Sequence, residues 1–155
     1  MGLGGVMDEE FQRYLQSVRA HRAELADSVA AVDAALARPL AHDAWSERVH
    51  TAMVELAHDW RDHRSLTEGE RGLYADVRRS APHLAGSADR LLAEHAEVSG
   101  QLRSVIEQLE GSEPVCDVAS FREEVTDLMG RLVRHRQRGS DLVYAAYSWD
   151  IGGSD

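Results

Sequence analysis

The chain of 155 residues contains no lysine; all seventeen of its basic residues are arginine. That absence removes Schiff-base lysine chemistry and the lysine of a phosphate-binding loop. Cys116 is the single cysteine, which rules out an internal disulfide and fits a reducing compartment. No apolar run approaches membrane-spanning length, and no charged-then-apolar leader precedes the first helix. A cytoplasmic protein with no membrane partner is the expectation. Positive charge is also in short supply: the formal net charge is −10. A general nucleic-acid binder needs a basic face, so no nucleic-acid partner is expected, although Arg131, Arg134, Arg136 and Arg138 cluster around His135.

What the chain has in quantity is alanine, leucine, arginine and glutamate with only three prolines, a composition that leans to helix. The length suits one domain, read as 8–148, with flexible termini at 1–7 and 149–155. Phe11, Leu15, Val18, Leu25, Val29, Val32 and Leu36 recur at three- and four-residue steps, predicting a helix from about Asp8 to Leu36 that Pro39 ends. Trp45, Val49, Met53, Leu56 and Trp60 form the next stripe. With Leu73, Tyr74 and Val77 resuming it, the pattern predicts one long helix over about 43–79, N-capped by Asp43 and irregular near 67–72. A third helix opens at Ser80 and Pro82 and carries Leu84, Ala88, Leu91, Val98, Leu102, Val105 and Leu109 inward. The fourth, about 120–147, turns Phe121, Val125, Leu128, Leu132 and Leu142 inward. No strand pattern competes, and the fold class is all-α, an up-down-up-down four-helix bundle.

Each stripe contains one histidine: His21, His63, His95 and His135. A buried ring nitrogen costs free energy without a partner, and four such positions suggest a shared one, most simply a metal ion. His21 lies fifteen residues before Leu36, His95 fourteen before Leu109 and His135 fifteen after Ser120. At about 1.5 Å per residue these three share a level. His63, twenty residues after Asp43, falls roughly 7 Å beyond it. His42, His50, His58 and His83 fall off the stripes. Carboxylates near the histidines would shift the metal towards iron or manganese. The i+4 partners of His63 and His135 are Thr67 and Gly139, so Glu68 (i+5) and Asp141 (i+6) reach the site only through a local widening, such as a π-bulge at the neighbouring glycines. Glu70, at i+7, competes with Glu68 in an undistorted helix.

The segments His63-Arg-Ser-Leu-Thr-Glu68 with Gly72-Leu-Tyr74, Leu92-Ala-Glu-His95, and His135-Arg-Gln-Arg-Gly-Ser-Asp141-Leu-Val-Tyr144 running on to Asp150-Ile-Gly-Gly153 resemble the hemerythrin-like, or HHE cation-binding, family over about residues 14–147. The resemblance implies a non-haem di-iron centre with His21, His63, His95 and His135 as ligands. It also implies Glu68 and Asp141 as the positions for bridging carboxylates, and O2, nitric oxide or peroxide as the small ligand bound, sensed or turned over. The hydroxyls of Tyr14, Tyr74 and Tyr144 are candidates to hydrogen-bond such a ligand. Two other readings stay open: a DinB-like enzyme using three histidines and one divalent metal, and a metal-free helical interaction module. The nuclearity, the oligomeric state and whether the protein is an enzyme are left open by the sequence.

Overall fold

The computed structural model describes residues 3–148, with side chains from residue 9 onward. Among these the chain is all helical: α1 (Leu3–Ala37), α2 (His42–Thr67), α3 (Leu73–Ser80), a 3₁₀ turn (Pro82–Leu84), α4 (Ala85–Glu110) and α5 (Val118–Tyr147). None of these helices is long and apolar enough to cross a membrane. The expected flexible segment 149–155 lies outside the described residues, and α1 starts at Leu3 rather than near Asp8.

Four long helices pack in a ring, α1 on α2, α2 on α4, α4 on α5 and α5 on α1, while α3 lies mainly against α4. Cross-helix contacts fix the directions. Trp45 Nε1 donates to the Leu36 carbonyl and Ser28 bonds Asp59, so α1 and α2 run antiparallel. The first bond also satisfies a carbonyl left open at the end of α1. Gln108 with Glu124 and Arg138 with Glu94 set α4 against α5 in the same way.

The single 43–79 helix expected from the sequence, irregular near 67–72, is two helices that part at that irregularity. α2 stops at Thr67, and Glu68 follows in an extended conformation at φ −87° and ψ 164°. Gly69 then adopts φ +85°, a left-handed conformation open to glycine and strained for other residues. At Gly72 the backbone turns so tightly that a Cβ would sit 2.3 Å from the Glu68 carbonyl oxygen. Ala41, not Asp43, stands at the N-cap position of α2, with no side-chain cap hydrogen bond, and Pro82 opens a 3₁₀ turn ahead of α4. At the start of α5, Asp117 accepts from the Ser120 backbone N–H, an N-cap that places the first turn two residues earlier than Ser120.

The interior divides into two apolar clusters. The larger holds Leu25, Val32, Trp45, Met53, Leu56, Trp60, Val98, Leu102, Val125 and Leu132 among others. The smaller, at the opposite end, holds Leu15, Val18, Leu73, Tyr74, Val77, Ala88, Leu91, Leu142 and Val143. Burying each such aliphatic side chain stabilises the fold by about 1.5–3 kcal/mol before entropy is counted. Between the clusters, every long helix contributes a buried polar residue: Arg22 from α1, His63 from α2, His95 from α4 and His135 from α5. The candidate site is this polar layer.

Candidate metal centre

His63, His95 and His135 bring one ring nitrogen each to within 4.8 Å of one another. Their side chains are enclosed, His95 and His135 at 1% exposure and His63 at 8%. Nε2 of His63 lies 3.1 Å from Nε2 of His135. Trp60, one turn before His63, forms a wall: its ring stacks on His63 and meets His95 and His135 edge to face, with centroids 5.1–5.3 Å apart. The indole N–H donates to Ser99 Oγ, which also accepts from Arg64.

The outward nitrogens face carboxylates. Nδ1 of His95 lies 2.7 Å from Glu68 Oε1. With Glu68 ionised, Nδ1 carries the proton and donates, which leaves the Nε2 lone pair for the interior. Arg64 holds the same carboxylate at 2.8 Å. Burial pushes the Glu68 carboxyl up, but the hydrogen bonds from Arg64 and His95 outweigh it and hold its pKa below the ordinary value. Beside His135, Glu94 Oε2 lies 3.6 Å from Nδ1, too far for a hydrogen bond, while it accepts from Arg138 at 2.9 Å. His135 Nδ1 and Glu94 Oε1 are both buried without a hydrogen-bond partner.

Burial drives all three imidazoles towards the neutral form. It lowers the pKa of His63 well below 6.5, with the neighbouring histidines, Arg22 and Arg136 adding to the effect. His95 is lowered by burial, partly offset by Glu68. His135 is lowered to about 3, by burial first and then by His95, Arg138 and Arg131. Neutral imidazoles with converging lone pairs are the form in which histidine ligates a metal. The donor set fits zinc, copper or iron. An outer carboxylate on the far ring nitrogen is the usual companion of a metal-bound histidine, because it fixes the tautomer and raises ligand basicity.

The remaining candidates lie elsewhere. His21 is outside the group of converging donors; its side chain is 32% exposed and its Nδ1 lies 3.5 Å from Glu24. Arg22 takes the inward position at that level, 7% exposed and donating to the Arg136 carbonyl at 3.1 Å. The stripe Val18–Arg22–Leu25 has the same three- and four-residue steps as Val18–His21–Leu25, so spacing alone does not separate the two. His63, the histidine whose depth disagreed, joins the group. Ser28 pairs with Asp59, which sets His63 level with Glu24 rather than beyond His21.

Glu68 reaches the layer because α2 ends at Thr67, not because the helix widens. Asp141 is exposed, accepting from Gln137 Nε2 at 3.0 Å on the outer side of α5. α5 runs unbroken through Gly139, and six residues of regular helix carry Asp141 about 120° away from His135. Glu70 is exposed in the 68–72 turn. Tyr74 is buried with its hydroxyl 3.3 Å from His95 Nε2; Tyr14 bonds the Leu66 carbonyl, and Tyr144 is 62% exposed. Arg22 and Glu94 carried no assignment from the sequence, and Trp60 was placed on the apolar stripe without a role at the site. Glu94 had a signal, since it precedes His95 directly in the chain, but its neighbour Arg138 comes from α5.

Comparisons with family models, with curated proteins and with solved structures find no match.

Proposed function

We propose that the chain is a metal-binding up-down-up-down four-helix bundle whose polar layer holds one transition-metal ion on His63, His95 and His135. The observation that carries this reading is the convergence of three buried imidazoles, one of them hydrogen-bonded at its outward ring nitrogen to the Glu68 carboxylate. In a layer bordered by leucine, valine and tryptophan and shared with Arg22, three imidazoles together are costly to bury, and a shared cation offsets that cost. Three histidine ligands leave coordination positions for a small exogenous molecule, as in catalytic metal sites. Iron with O2, nitric oxide or peroxide is the pairing that the hemerythrin-like resemblance suggests.

A single ion, rather than the di-iron centre of that family, is favoured by the carboxylates. Glu68 is engaged by His95 Nδ1 and Arg64, and Asp141 by Gln137, so neither lies as a bridge beside the converging nitrogens. The same observation favours a second reading, a DinB-like mononuclear enzyme with zinc or nickel. Metal content and the optical spectrum after loading with iron or zinc test both. One iron per chain with a ligand-sensitive spectrum supports the first reading, and one zinc or nickel with no stable iron form supports the second. Two irons with an oxo-bridge band would contradict the single-ion assignment. Negligible metal, with thermal stability unaffected by chelator, would sink both.

A further inference from the structure

We propose that Tyr74 is the fourth protein ligand of that metal, its phenolate oxygen completing a shell with His63, His95 and His135. The inference rests on the three-histidine reading and extends it to a residue outside the histidine set. Four observations carry it. Its side chain is 4% exposed, in the apolar cluster that borders the polar layer. Its hydroxyl lies 3.3 Å from His95 Nε2, the nitrogen that faces inward because Nδ1 is committed to Glu68. The His63–His135 nitrogen separation is 3.1 Å. With metal–ligand bonds of about 2.0–2.1 Å, donors around one tetrahedral ion lie about 3.3 Å apart and those around an octahedral ion about 2.9 Å apart. Both separations, hydrogen bonds in the metal-free chain, match the edge of one coordination shell, and the three histidine nitrogens together lie within 4.8 Å of one another.

The fourth observation is how the chain delivers this tyrosine. α2 ends at Thr67, and the turn through Gly69 and Gly72 brings the start of α3 back over the layer, with Leu73 and Tyr74 buried at its first turn. A continuous helix would carry Tyr74 away from His63, eleven residues on, by three turns. The break in α2 therefore places both Glu68, behind His95, and Tyr74, in front of it.

Coordination forms a metal–oxygen bond and breaks the phenol O–H bond; the proton passes to solvent, and no electron is transferred. Without metal, the phenol hydroxyl donates to the His95 Nε2 lone pair. Four protein ligands complete a tetrahedral shell, whereas six-coordinate iron retains two positions for exogenous ligands.

The test loads the full chain with ferric iron, supplied as its citrate complex, and records metal stoichiometry and the visible spectrum. Wild type is expected to bind iron with a phenolate-to-iron charge-transfer band. Y74F should retain iron and lose the band, and Y144F, altering an exposed tyrosine, should keep both. Iron bound by wild type without the band, or a band that persists in Y74F, would overturn the assignment of Tyr74 and leave the three-histidine site standing. Absence of bound iron and zinc in wild type would overturn the site itself. Circular dichroism of Y74F checks that it folds, and the absence of the band in wild type overturns the assignment independently of any variant.

Discussion

Lowering the pH from 7 to 5 should destabilise the metal-free protein through its buried imidazoles. Burial holds His63, His95 and His135 below the ordinary histidine value in the folded chain. The unfolded chain takes up their protons near pH 6.5, so it binds more protons than the folded state below that point. Stability is therefore whole above pH 6.5 and is lost as the pH falls through it towards the folded-state values. For His135, with 6.5 in the unfolded chain and about 3 in the folded one, linkage gives a loss of about 2 kcal/mol between pH 7 and pH 5. His63 and His95 add in the same direction. Glu68 is depressed below its ordinary 4.5, and its contribution is lost mainly at lower pH, outside this window. Urea unfolding in the presence of a chelator, followed by circular dichroism at the two pH values, measures the loss. In His135→Leu the pH-dependent loss should shrink by about 2 kcal/mol, whatever the variant does to absolute stability. Stability that is flat or rises from pH 7 to pH 5, or an unchanged slope in His135→Leu, would refute the reasoning.

Other substitutions separate the parts of the account. Glu68→Gln should weaken metal affinity by about 10–100-fold in a competition titration while leaving stoichiometry at one, as expected for an outer partner of a ligating histidine; loss of all binding would make Glu68 a ligand. Asp141→Asn, altering an exposed side chain on the outer side of α5, should leave affinity unchanged. Gly72→Ala should cost about 1–3 kcal/mol in urea unfolding, because its Cβ would meet the carbonyls of Thr67 and Glu68 at 2.3–2.5 Å. An unchanged midpoint would show that the turn carrying Tyr74 relaxes freely.

Helical class and inward faces were legible in the sequence because three- and four-residue steps of Leu, Val and Trp persist along all four long helices. Within those stripes His63, His95 and His135 were identifiable as buried polar residues. The break at 68–72 was harder to read. Thr67 and Gly72 are both inward, and apolar periodicity resumes at Leu73, so the stripe spans a gap in the helix. Two consequences follow from that one turn: Glu68 approaches His95 without a bulge, and Tyr74 meets His95 across 21 residues of sequence. The stripe did not separate His21 from Arg22, because adjacent residues 21 and 22 straddle the inner face. Only the packing of α1 against α5, where Arg22 meets the Arg136 carbonyl, selects between them. Glu94 escaped notice for a related reason, since its setting beside His135 depends on how α4 and α5 align.

The central claim, one metal ion held by His63, His95 and His135, is tested most directly by anomalous diffraction from crystals of the metal-loaded protein. A single anomalous peak per chain is expected in the polar layer, about 2.0–2.2 Å from one ring nitrogen of each of the three histidines. A peak elsewhere, a pair of peaks bridged by carboxylates, or no peak in crystals soaked with iron or zinc would contradict it.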